Sequence, residues 1–234
     1  MDLYSEYLFV TLKKVNEQIQ DLELHLSRFE SQINKYYFLT DSKSFLTKIK
    51  NEILKLNCDN SRIRINVFAR DRDILLEENF CIEDLNFEFD IKALTSPREF
   101  VVAKFVLGQN SGELENLKLA NYSGAFFLKR LALQDGFNEI IFKTNDNEVL
   151  EASTSNLILK IRGKWLTPKR FIYKGVTRQK LVDSSKVKES IIYQTDLSHC
   201  TDAVLVNSIE GVVPVKSIGD YQFNNQDLWE LNDE

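Results

Sequence analysis

The chain has 234 residues, of which 43% are hydrophobic and 28% are charged, a balance that is typical of a globular protein and excludes a disordered or fibrous one. Its 30 basic and 35 acidic residues give a net charge of −5, so it lacks the excess of positive charge with which proteins bind nucleic acids. No apolar run approaches the roughly 20 residues of a membrane-spanning helix, and the N-terminal residues lack the pattern of a secretory signal, so we expect a cytoplasmic protein without membrane or nucleic-acid partners.

Cysteine and histidine are scarce, and this narrows the chemistry that the chain can carry out. Cys58, Cys81 and Cys200 lie far apart and lack the short spacing of a metal-binding pair, which predicts free thiols in a reducing compartment. His25 and His199 are the two histidines of the chain, so a zinc site built on histidine is disfavoured. No Gly-x-Ser-x-Gly motif of a serine hydrolase occurs. We therefore predict no metal site.

The first half of the chain alternates between strand and helix patterns. Leu8 to Val15 predicts a strand, and Asn16 to Gln18 could turn the chain back as a hairpin. Asp21 is a candidate N-cap for a helix that extends to about Tyr37, because apolar residues recur there at intervals of three and four. The other elements predicted in this half are a helix from about Ser44 to Leu56 and period-two strands at Ile63–Val67 and Leu85–Ile91.

The stretch from Gly108 to Gly112 is small and polar and predicts a linker. We therefore expect a small α+β domain over residues 1–107, the linker at 108–112, and a second domain over 113–234. In the second domain a helix is predicted from about Asn121 to Gln134, with Gly136 at its C-terminal cap. The remaining elements are strands at Glu139–Lys143, Val149–Ala152, Asn156–Ile161, Ala203–Asn207 and Val212–Ile218, a helix that begins near Thr177, and a closing helix at Asn224–Leu231.

Several segments resemble one family in their order and separation. In the second half they are Leu-Lys-Leu-Ala-Asn-Tyr at 117–122, Glu-Ala-Ser-Thr-Ser-Asn-Leu at 151–157, Gly-Val-Thr-Arg at 175–178 and Val-Asn-Ser-Ile-Glu-Gly-Val-Val-Pro-Val at 206–215. In the first half they are Tyr4 to Thr11 and His25 to Arg28. The chain is thereby similar to the fold-type IV pyridoxal-phosphate enzymes, which include the branched-chain and D-amino-acid aminotransferases and aminodeoxychorismate lyase.

The resemblance implies a two-domain α+β fold, with a small N-terminal domain whose N-terminus is trimmed and a larger β-rich C-terminal domain. It also implies a homodimer that binds pyridoxal 5′-phosphate (PLP) and a small-molecule substrate. Lys118 matches the catalytic lysine that is joined covalently to the cofactor's aldehyde. By itself Lys118 could be one more solvated lysine, but its position relative to Glu151 and Gly175 favours the catalytic role.

The resemblance also gives roles to the other ends of the cofactor. Glu151 matches the carboxylate that keeps the pyridine nitrogen protonated, because a nearby negative charge favours the protonated form. Taken alone, Glu151 could equally face water at a strand edge, and Asn156, which matches a position in the active-site wall, could be a turn asparagine. Val176 and Thr177 begin a predicted helix, where backbone N–H groups can point at a phosphate. The resemblance adds Arg28, Ser208 and Ile209 as further phosphate contacts, although Arg28 could be a surface arginine.

Two reactions remain open. As a lyase, the chain would convert 4-amino-4-deoxychorismate into 4-aminobenzoate and pyruvate for folate biosynthesis, with Lys118 removing a proton. As a class IV aminotransferase, it would act on D- or branched-chain amino acids. The spacing from Lys118 to Asn121 is similar to the lyase and D-amino-acid aminotransferase branches, and the Phe-x-Thr pattern that ends at Thr11 resembles the lyase. Tyr4 and Thr11 are candidate substrate contacts. A degenerate member that binds the cofactor without turnover is disfavoured, because Lys118 and Glu151 are both retained.

Overall fold

The structure, a computed structural model, describes residues 7–71, 73–76, 80–108, 117–120 and 123–231. The described residues fall into two compact units. Residues 7–95 and 117–120 belong to the first unit, and residues from Ser96 onward, apart from that short segment, belong to the second. Both units mix helices and strands, as the sequence predicts for an α+β protein. Within the described ranges, no helix is long and apolar enough to cross a membrane.

The first unit is a four-stranded antiparallel sheet with two helices, as far as the described residues show. Its strands follow the spatial order β2-β1-β3-β4. The predicted strand Leu8–Val15 is present, and the chain turns back after it through Asn16 and Glu17, both with positive φ. The bounds are β1 Leu8–Val15, β2 Gln18–Ile19, α1 Leu22–Tyr36, α2 Lys43–Leu54, β3 Ser61–Ala69 and β4 Leu85–Ala93, with short 3-10 helices at Asp73–Leu76 and Ile82–Asp84.

Alternation along the strands gives this sheet a buried and an open face. Every second residue from Leu8 to Leu12 of β1 and from Ile63 to Val67 of β3 is buried, because successive side chains of a strand point to opposite sides. They pack against the stripe of α1 that includes Phe29 and Ile33. Asp21 is the N-cap residue of α1, but it adopts a left-handed conformation with φ 53° and its side chain makes no capping hydrogen bond.

The second unit contains a longer sheet and two α-helices among its described residues. The sheet follows the order β10-β9-β8-β11-β12-β5-β6-β7, and β13 also pairs with β12. The bounds are β5 Val101–Leu107, α3 Ser123–Gln134, β6 Glu139–Lys143, β7 Val149–Ala152, β8 Asn156–Ile161, β9 Lys164–Pro168, α4 Val176–Asp183, β10 Lys188–Ser190, β11 Cys200–Asn207, β12 Gly211–Ile218 and β13 Tyr221–Gln222. A 3-10 helix at Gln194–His199 lies between β10 and β11, and one at Leu228–Leu231 replaces the longer closing helix predicted from Asn224.

The sheet of the second unit curls until its two ends meet. The N–H of Val149, in β7, donates to the carbonyl of Ile192 at 2.7 Å, and the N–H of Gln194 donates to the carbonyl of Asn147 at 2.9 Å. The segment after β10 thus pairs with β7, although these elements stand at opposite ends of the strand order. This pairing satisfies some of the backbone groups at the two edges, and the curled sheet encloses an apolar core that includes Leu159 and Leu205.

The units divide the chain differently from the domains predicted at 1–107 and 113–234. Val101–Leu107, which we expected in the first domain, pairs in parallel with β6 and β12 of the second unit. Its residues are apolar at every position except Lys104, so the sequence shows no period-two alternation from which its sheet could be read. Of the predicted linker, Gly108 is described and residues 109–112 lie outside the described residues.

Candidate active site

The first part of the site is a carboxylate that the fold holds in place. Glu151 lies in β7 and Asn156 begins β8, and the N–H of Ala152 donates to the carbonyl of Ser155 to close the turn between the two strands. Asn156 Nδ2 donates to Glu151 Oε2 at 3.0 Å, and the N–H of Tyr173 donates to Glu151 Oε1 at 2.8 Å. Two donors therefore orient the Glu151 carboxylate.

Asn156 also connects this carboxylate to the loop that leads into α4. Its Nδ2 donates to the carbonyl of Tyr173 at 2.6 Å, and its Oδ1 accepts the N–H of Gly175 at 3.0 Å. The fit around Gly175 is tight, because a Cβ atom there would lie 2.5 Å from Asn156 Oδ1. A glycine at this position therefore allows the backbone to approach the asparagine, and the asparagine sets the path of the loop.

The second part of the site is the beginning of α4. The first helical hydrogen bond runs from the N–H of Gln179 to the carbonyl of Gly175, so the N–H groups of Val176 and Thr177 precede the helix ladder. Thr177 Oγ1 lies 3.4 Å from Ser208 Oγ, in the turn between β11 and β12. Backbone donors and two hydroxyls thus converge where the helix dipole is positive, an arrangement that suits a phosphate.

A buried arginine braces this helix from behind. Arg178 is fully buried, and its Nη2 donates to Glu189 Oε1 at 2.6 Å and to the carbonyl of Pro168 at 2.9 Å. The hydrogen bond from Arg178 holds the pKa of the Glu189 carboxyl below its ordinary value, and the charges of Arg178 and Lys174 act in the same direction against partial burial. These contacts fix α4 against β9 and β10 and so set the position of Thr177.

The turn that carries Ser208 and Ile209 is shaped from within. Asn207 Oδ1 accepts the N–H of Ile209 and the N–H of Glu210, both at 2.8 Å, and Asn207 Nδ2 donates to Ser155 Oγ at 2.8 Å. In this structure the N–H of Ile209, which the resemblance directs to the phosphate, is therefore used by the turn itself. Ile209 shapes the turn, and Ser208 supplies its hydroxyl.

The first unit holds Lys118 on a segment that pairs with β1. Lys118 carbonyl accepts the N–H of Phe9 at 3.0 Å, the N–H of Ala120 donates to the carbonyl of Tyr7 at 2.9 Å, and Lys118 N–H donates to Gln32 Oε1 at 3.3 Å. The Lys118 Nζ lies 4.8 Å from the centre of the Phe9 ring, within the range of a cation–π interaction. The main chain of Lys118 is thus fixed while its amine stands over an aromatic face.

The other predicted residues of the first unit lie near this segment. Thr11 follows Phe9 by two residues on β1, so both share one face of the sheet, on which Phe9 is buried and Thr11 half-buried. Thr11 pairs with Arg64 of β3. Arg28 is half-buried on α1, four residues before Gln32 and therefore on the same side of the helix. His25 is buried, in agreement with a packing role. Tyr4 lies outside the described residues.

The predicted residues therefore gather in two groups. Glu151, Asn156, Val176, Thr177 and Ser208 come together in the second unit, and Lys118, Arg28 and Thr11 belong to the first. Sequence reasoning missed Phe9 and Tyr173. The period-two pattern of β1 could have indicated Phe9, because it shares a face with Thr11, whereas Tyr173 contributes a backbone N–H that no side-chain pattern reveals.

The residues of the second unit fit a ligand that is anionic at one end and basic at the other. The start of α4 with Thr177 and Ser208 suits a phosphate, and Glu151 suits a protonated ring nitrogen. Asn156 bonds to both regions, so they hold a fixed separation. PLP carries a phosphate group and a ring nitrogen at different positions of one ring. The donors at the start of α4 match the phosphate, and the Glu151 carboxylate matches the protonated ring nitrogen.

The chain is similar to several known proteins. An uncharacterized protein of Haemophilus influenzae is 24% identical over 215 residues, which cover 88% of this chain and 98% of that protein. A 4-amino-4-deoxychorismate lyase of Pseudomonas aeruginosa has a TM-score of 0.77 at 20% identity, over 96% of this chain and 87% of that one. A hypothetical aminotransferase of Mycobacterium tuberculosis in its PLP-bound form has a TM-score of 0.80 at 16% identity, over 98% and 87% of the two chains. At these identities the two structures show a shared fold alone.

The family follows from the sequence itself. Residues 8–218 match the class IV amino-transferases, and the chain belongs to that family. Its members are enzymes of the PLP-dependent type that share the fold-type IV architecture. The expected family, fold class, cofactor and enzyme class are therefore confirmed, whereas the reaction and the roles of individual residues are matters for a proposal.

Proposed function

We propose that this enzyme is a PLP-dependent lyase that converts 4-amino-4-deoxychorismate into 4-aminobenzoate and pyruvate, a step of folate biosynthesis. The observation that carries the proposal is the group of residues in the second unit, where one asparagine connects a fixed carboxylate to the start of α4. This arrangement supports PLP binding with Glu151 at the ring nitrogen and with Val176, Thr177 and Ser208 at the phosphate. Arg28 is proposed to add a charged contact to the phosphate.

Lys118 is the proposed catalytic residue. When bound, PLP supplies an electron sink for the negative charge that develops on the substrate carbon. The Lys118 amine removes the proton from the substrate carbon that bears the nitrogen and holds that proton on Nζ. The C–O bond to the side chain then breaks as the substrate ring becomes aromatic, and the released enolpyruvate takes up the proton to become pyruvate. The fixed main chain of Lys118 and the Phe9 ring limit the positions that Nζ can take, and Thr11 is a proposed substrate contact on the same strand face.

An aminotransferase that acts on D- or branched-chain amino acids is the second candidate. In that reaction Lys118 would return the proton to the cofactor rather than complete an elimination. The M. tuberculosis aminotransferase is as similar in fold as the lyase of P. aeruginosa, so fold does not separate the two reactions. The spacing from Lys118 to Asn121 resembles the lyase and the D-amino-acid aminotransferases and disfavours a branched-chain aminotransferase. The Phe-x-Thr pattern that ends at Thr11 favours the lyase.

The decisive experiment supplies 4-amino-4-deoxychorismate to the PLP-loaded enzyme and measures 4-aminobenzoate and pyruvate, which should form in equal amounts. D-Alanine and the branched-chain amino acids are offered in parallel with 2-oxo acid acceptors. Lys118→Ala should lower turnover by at least about 10²–10⁴-fold, as expected for loss of an acid–base group. Lys104→Ala, which removes a surface ion pair with Asp135, is the matched control and should keep full activity.

Each alternative has its own result in this experiment. Amino-acid turnover without 4-aminobenzoate would establish the aminotransferase, and tight PLP binding without any turnover would indicate a degenerate member. Failure of the protein to bind PLP would refute the proposal altogether.

We further propose a homodimer in the cytoplasm. The exposed apolar side chains of α3, namely Phe126, Phe127, Leu131 and Leu133, support a self-association surface because monomers rarely expose such a cluster. Cys58, Cys81 and Cys200 are all free thiols, which suits a reducing compartment. Light scattering should give twice the chain mass of 27.2 kDa, and a fully active monomer would contradict the dimer.

A further inference from the structure

A charged cluster in the second unit lies outside the residues assigned so far. Glu139, the first residue of β6, is fully buried. Its Oε2 accepts from Arg98 Nη1 at 2.7 Å and from Lys129 Nζ at 2.8 Å, and its Oε1 accepts from Ser153 Oγ at 2.6 Å. A carboxylate without access to water is thus compensated by two cations and a hydroxyl, as burial of a charge requires.

The charge state of Glu139 follows from these partners. Burial alone would raise the pKa of its carboxyl, but the charge of Lys129 and the hydrogen bonds from Lys129 and Ser153 outweigh burial and lower it. The carboxylate is therefore ionised at neutral pH and gives Arg98 a fixed anchor. Since this anchor lies at the start of β6, which pairs with β5 on one side and β7 on the other, it has little freedom to move.

Arg98 carries the connection from this anchor to the turn between β11 and β12. Its Nε donates to Glu210 Oε1 and its Nη2 donates to Glu210 Oε2, both at 2.8 Å, while the remaining Nη1 holds Glu139. The planar guanidinium thus binds the Glu210 carboxylate with two parallel hydrogen bonds and the Glu139 carboxylate with a third, from Nη1. Lysine cannot reproduce this geometry, because its ammonium group is a single point of charge.

Glu210 in turn stabilises the hairpin that contains Ser208. Its Oε2 accepts from Asn207 Nδ2 at 3.1 Å, and Asn207 Oδ1 accepts the backbone N–H groups of Ile209 and Glu210. The orientation of the Asn207 amide therefore depends on Glu210 on one side and sets the course of the backbone through Ser208 on the other. Ser208 Oγ is the atom that lies 3.4 Å from Thr177 Oγ1.

We propose that Arg98 is a positioning residue for the phosphate of the cofactor, which acts by holding Glu210 and, through Asn207, the Ser208 turn. This role rests on the proposed function, because the proposed function places the phosphate of the cofactor at the Ser208 turn. Arg98 itself contacts no proposed ligand atom. Its effect should therefore be confined to the end of the cofactor that the turn binds, and binding at the ring-nitrogen end, held by Glu151 and Asn156, should be unaffected.

The test compares two ligands that differ in the phosphate. Equilibrium dialysis of the apoenzyme gives the dissociation constants of PLP and of pyridoxal, which carries a hydroxyl in place of the phosphate ester. Arg98→Lys should raise the dissociation constant of PLP by about 10–100-fold, the effect of losing charge-assisted hydrogen bonds, and that of pyridoxal by less than about threefold. Glu210→Gln keeps the size of the side chain. It should also raise the dissociation constant of PLP more than that of pyridoxal.

A matched control is available in the same unit. Arg170 clamps buried Glu148 through Nε and Nη2, and it has no described contact with the Ser208 turn. Arg170→Lys should leave both dissociation constants unchanged. A merely structural role of Arg98 would weaken PLP and pyridoxal equally, and that result would overturn the proposal, as would unchanged binding of both.

The outcomes also separate this role from the function on which it rests. If the unsubstituted protein binds PLP no better than pyridoxal, the phosphate site itself is refuted, together with the role of Arg98. If the unsubstituted protein prefers PLP and the variants keep that preference, the proposed function stands and the role of Arg98 fails. If Arg98→Lys does not fold, the dissociation constants of PLP and pyridoxal measured for Glu210→Gln test the role of Arg98 instead.

Discussion

The two units hold their polar groups in different ways. In the second unit, Glu151 and Asn156 are bound to each other and to the backbone of Tyr173 and Gly175 by hydrogen bonds of 2.6 to 3.0 Å. In the first unit, the main chain of Lys118 is paired with β1, but its amine stands on a long stem over the Phe9 ring. The second unit therefore surrounds its carboxylate with hydrogen-bond donors, whereas the first unit fixes the main chain of Lys118 and places its amine near an aromatic ring.

This difference suggests a division of labour. Fixed donors and acceptors suit the retention of a cofactor, because side chains that are already ordered lose little conformational entropy when the cofactor binds. A group that transfers a proton must instead reach more than one atom during a reaction. We therefore expect substitutions in the second unit to change cofactor binding and stability, and substitutions around Lys118 to change turnover.

The largest expected effect concerns the buried charges of the second unit. Glu139→Gln would leave Arg98 and Lys129 without their shared carboxylate, and removal of one partner from a buried ion pair costs about 3–5 kcal/mol. Urea unfolding at pH 7 should show that the free energy of unfolding of Glu139→Gln is lower than that of the wild type by this amount. Glu99→Gln, a change at an exposed glutamate of the same unit, should stay within about 0.5 kcal/mol.

The same pair of proteins should show a pH dependence of known sign. The pKa of Glu139 is lowered in the folded state, since burial, which raises it, is outweighed by Lys129 and the hydrogen bonds to the carboxylate. Its contribution to stability is therefore present above the ordinary glutamate pKa of about 4.3 and is lost as the pH falls through the folded-state value. The difference in the free energy of unfolding between the wild type and Glu139→Gln should become smaller below about pH 4. A difference that grows in acid would contradict this account.

A smaller effect is expected where the site is tightly packed. Gly175→Ala would place a Cβ atom 2.5 Å from Asn156 Oδ1, so Asn156 must turn away and release Glu151 or the Gly175 N–H. A buried group left without its partner costs about 1–3 kcal/mol, which corresponds to about a 5–150-fold weaker affinity for PLP.

Gly124→Ala is the matched control for this change. Gly124 lies in α3 with no heavy atom within 4 Å of the added Cβ position, and alanine favours a helix over glycine. This variant should bind PLP as the wild type does. Equal losses in the two variants would show that the contact between Gly175 and Asn156 has no special part in the site.

Local patterns predicted the parts of the fold that depend on local physics. The strand Leu8–Val15 and the strands at Glu139–Lys143, Val149–Ala152 and Asn156–Ile161 have the bounds that the sequence indicated. The helices follow their periodic apolar residues with small shifts at the ends. Glu151, Asn156 and Gly175 could be singled out together because the motif segments that contain them are short and ordered along the chain.

Contacts between distant parts of the chain were beyond such reasoning. Arg98 and Glu210 are 112 positions apart, and nothing in either neighbourhood indicates that they pair. β5 carries no alternating pattern, so its parallel pairing with β6 and β12 became visible in the structure alone. The strands β10 and β13 were missed because two or three residues give too little periodicity, and the five-residue β9 was missed as well.

The smallest expected effect tests the first unit and the division of labour directly. Phe9→Leu keeps an apolar side chain but removes the aromatic face that lies 4.8 Å from Lys118 Nζ and 3.6 Å from the guanidinium carbon of Arg64, contacts worth about 0.5–1 kcal/mol each. Turnover should fall by about 2–5-fold because the amine is less well placed, while the dissociation constant of PLP changes by less than about twofold. Phe38→Leu, at a ring that is 93% exposed, should alter neither quantity. If Phe9→Leu instead weakened PLP binding as much as Gly175→Ala, the ring under Lys118 would serve retention as well, and the functional contrast between the units would disappear.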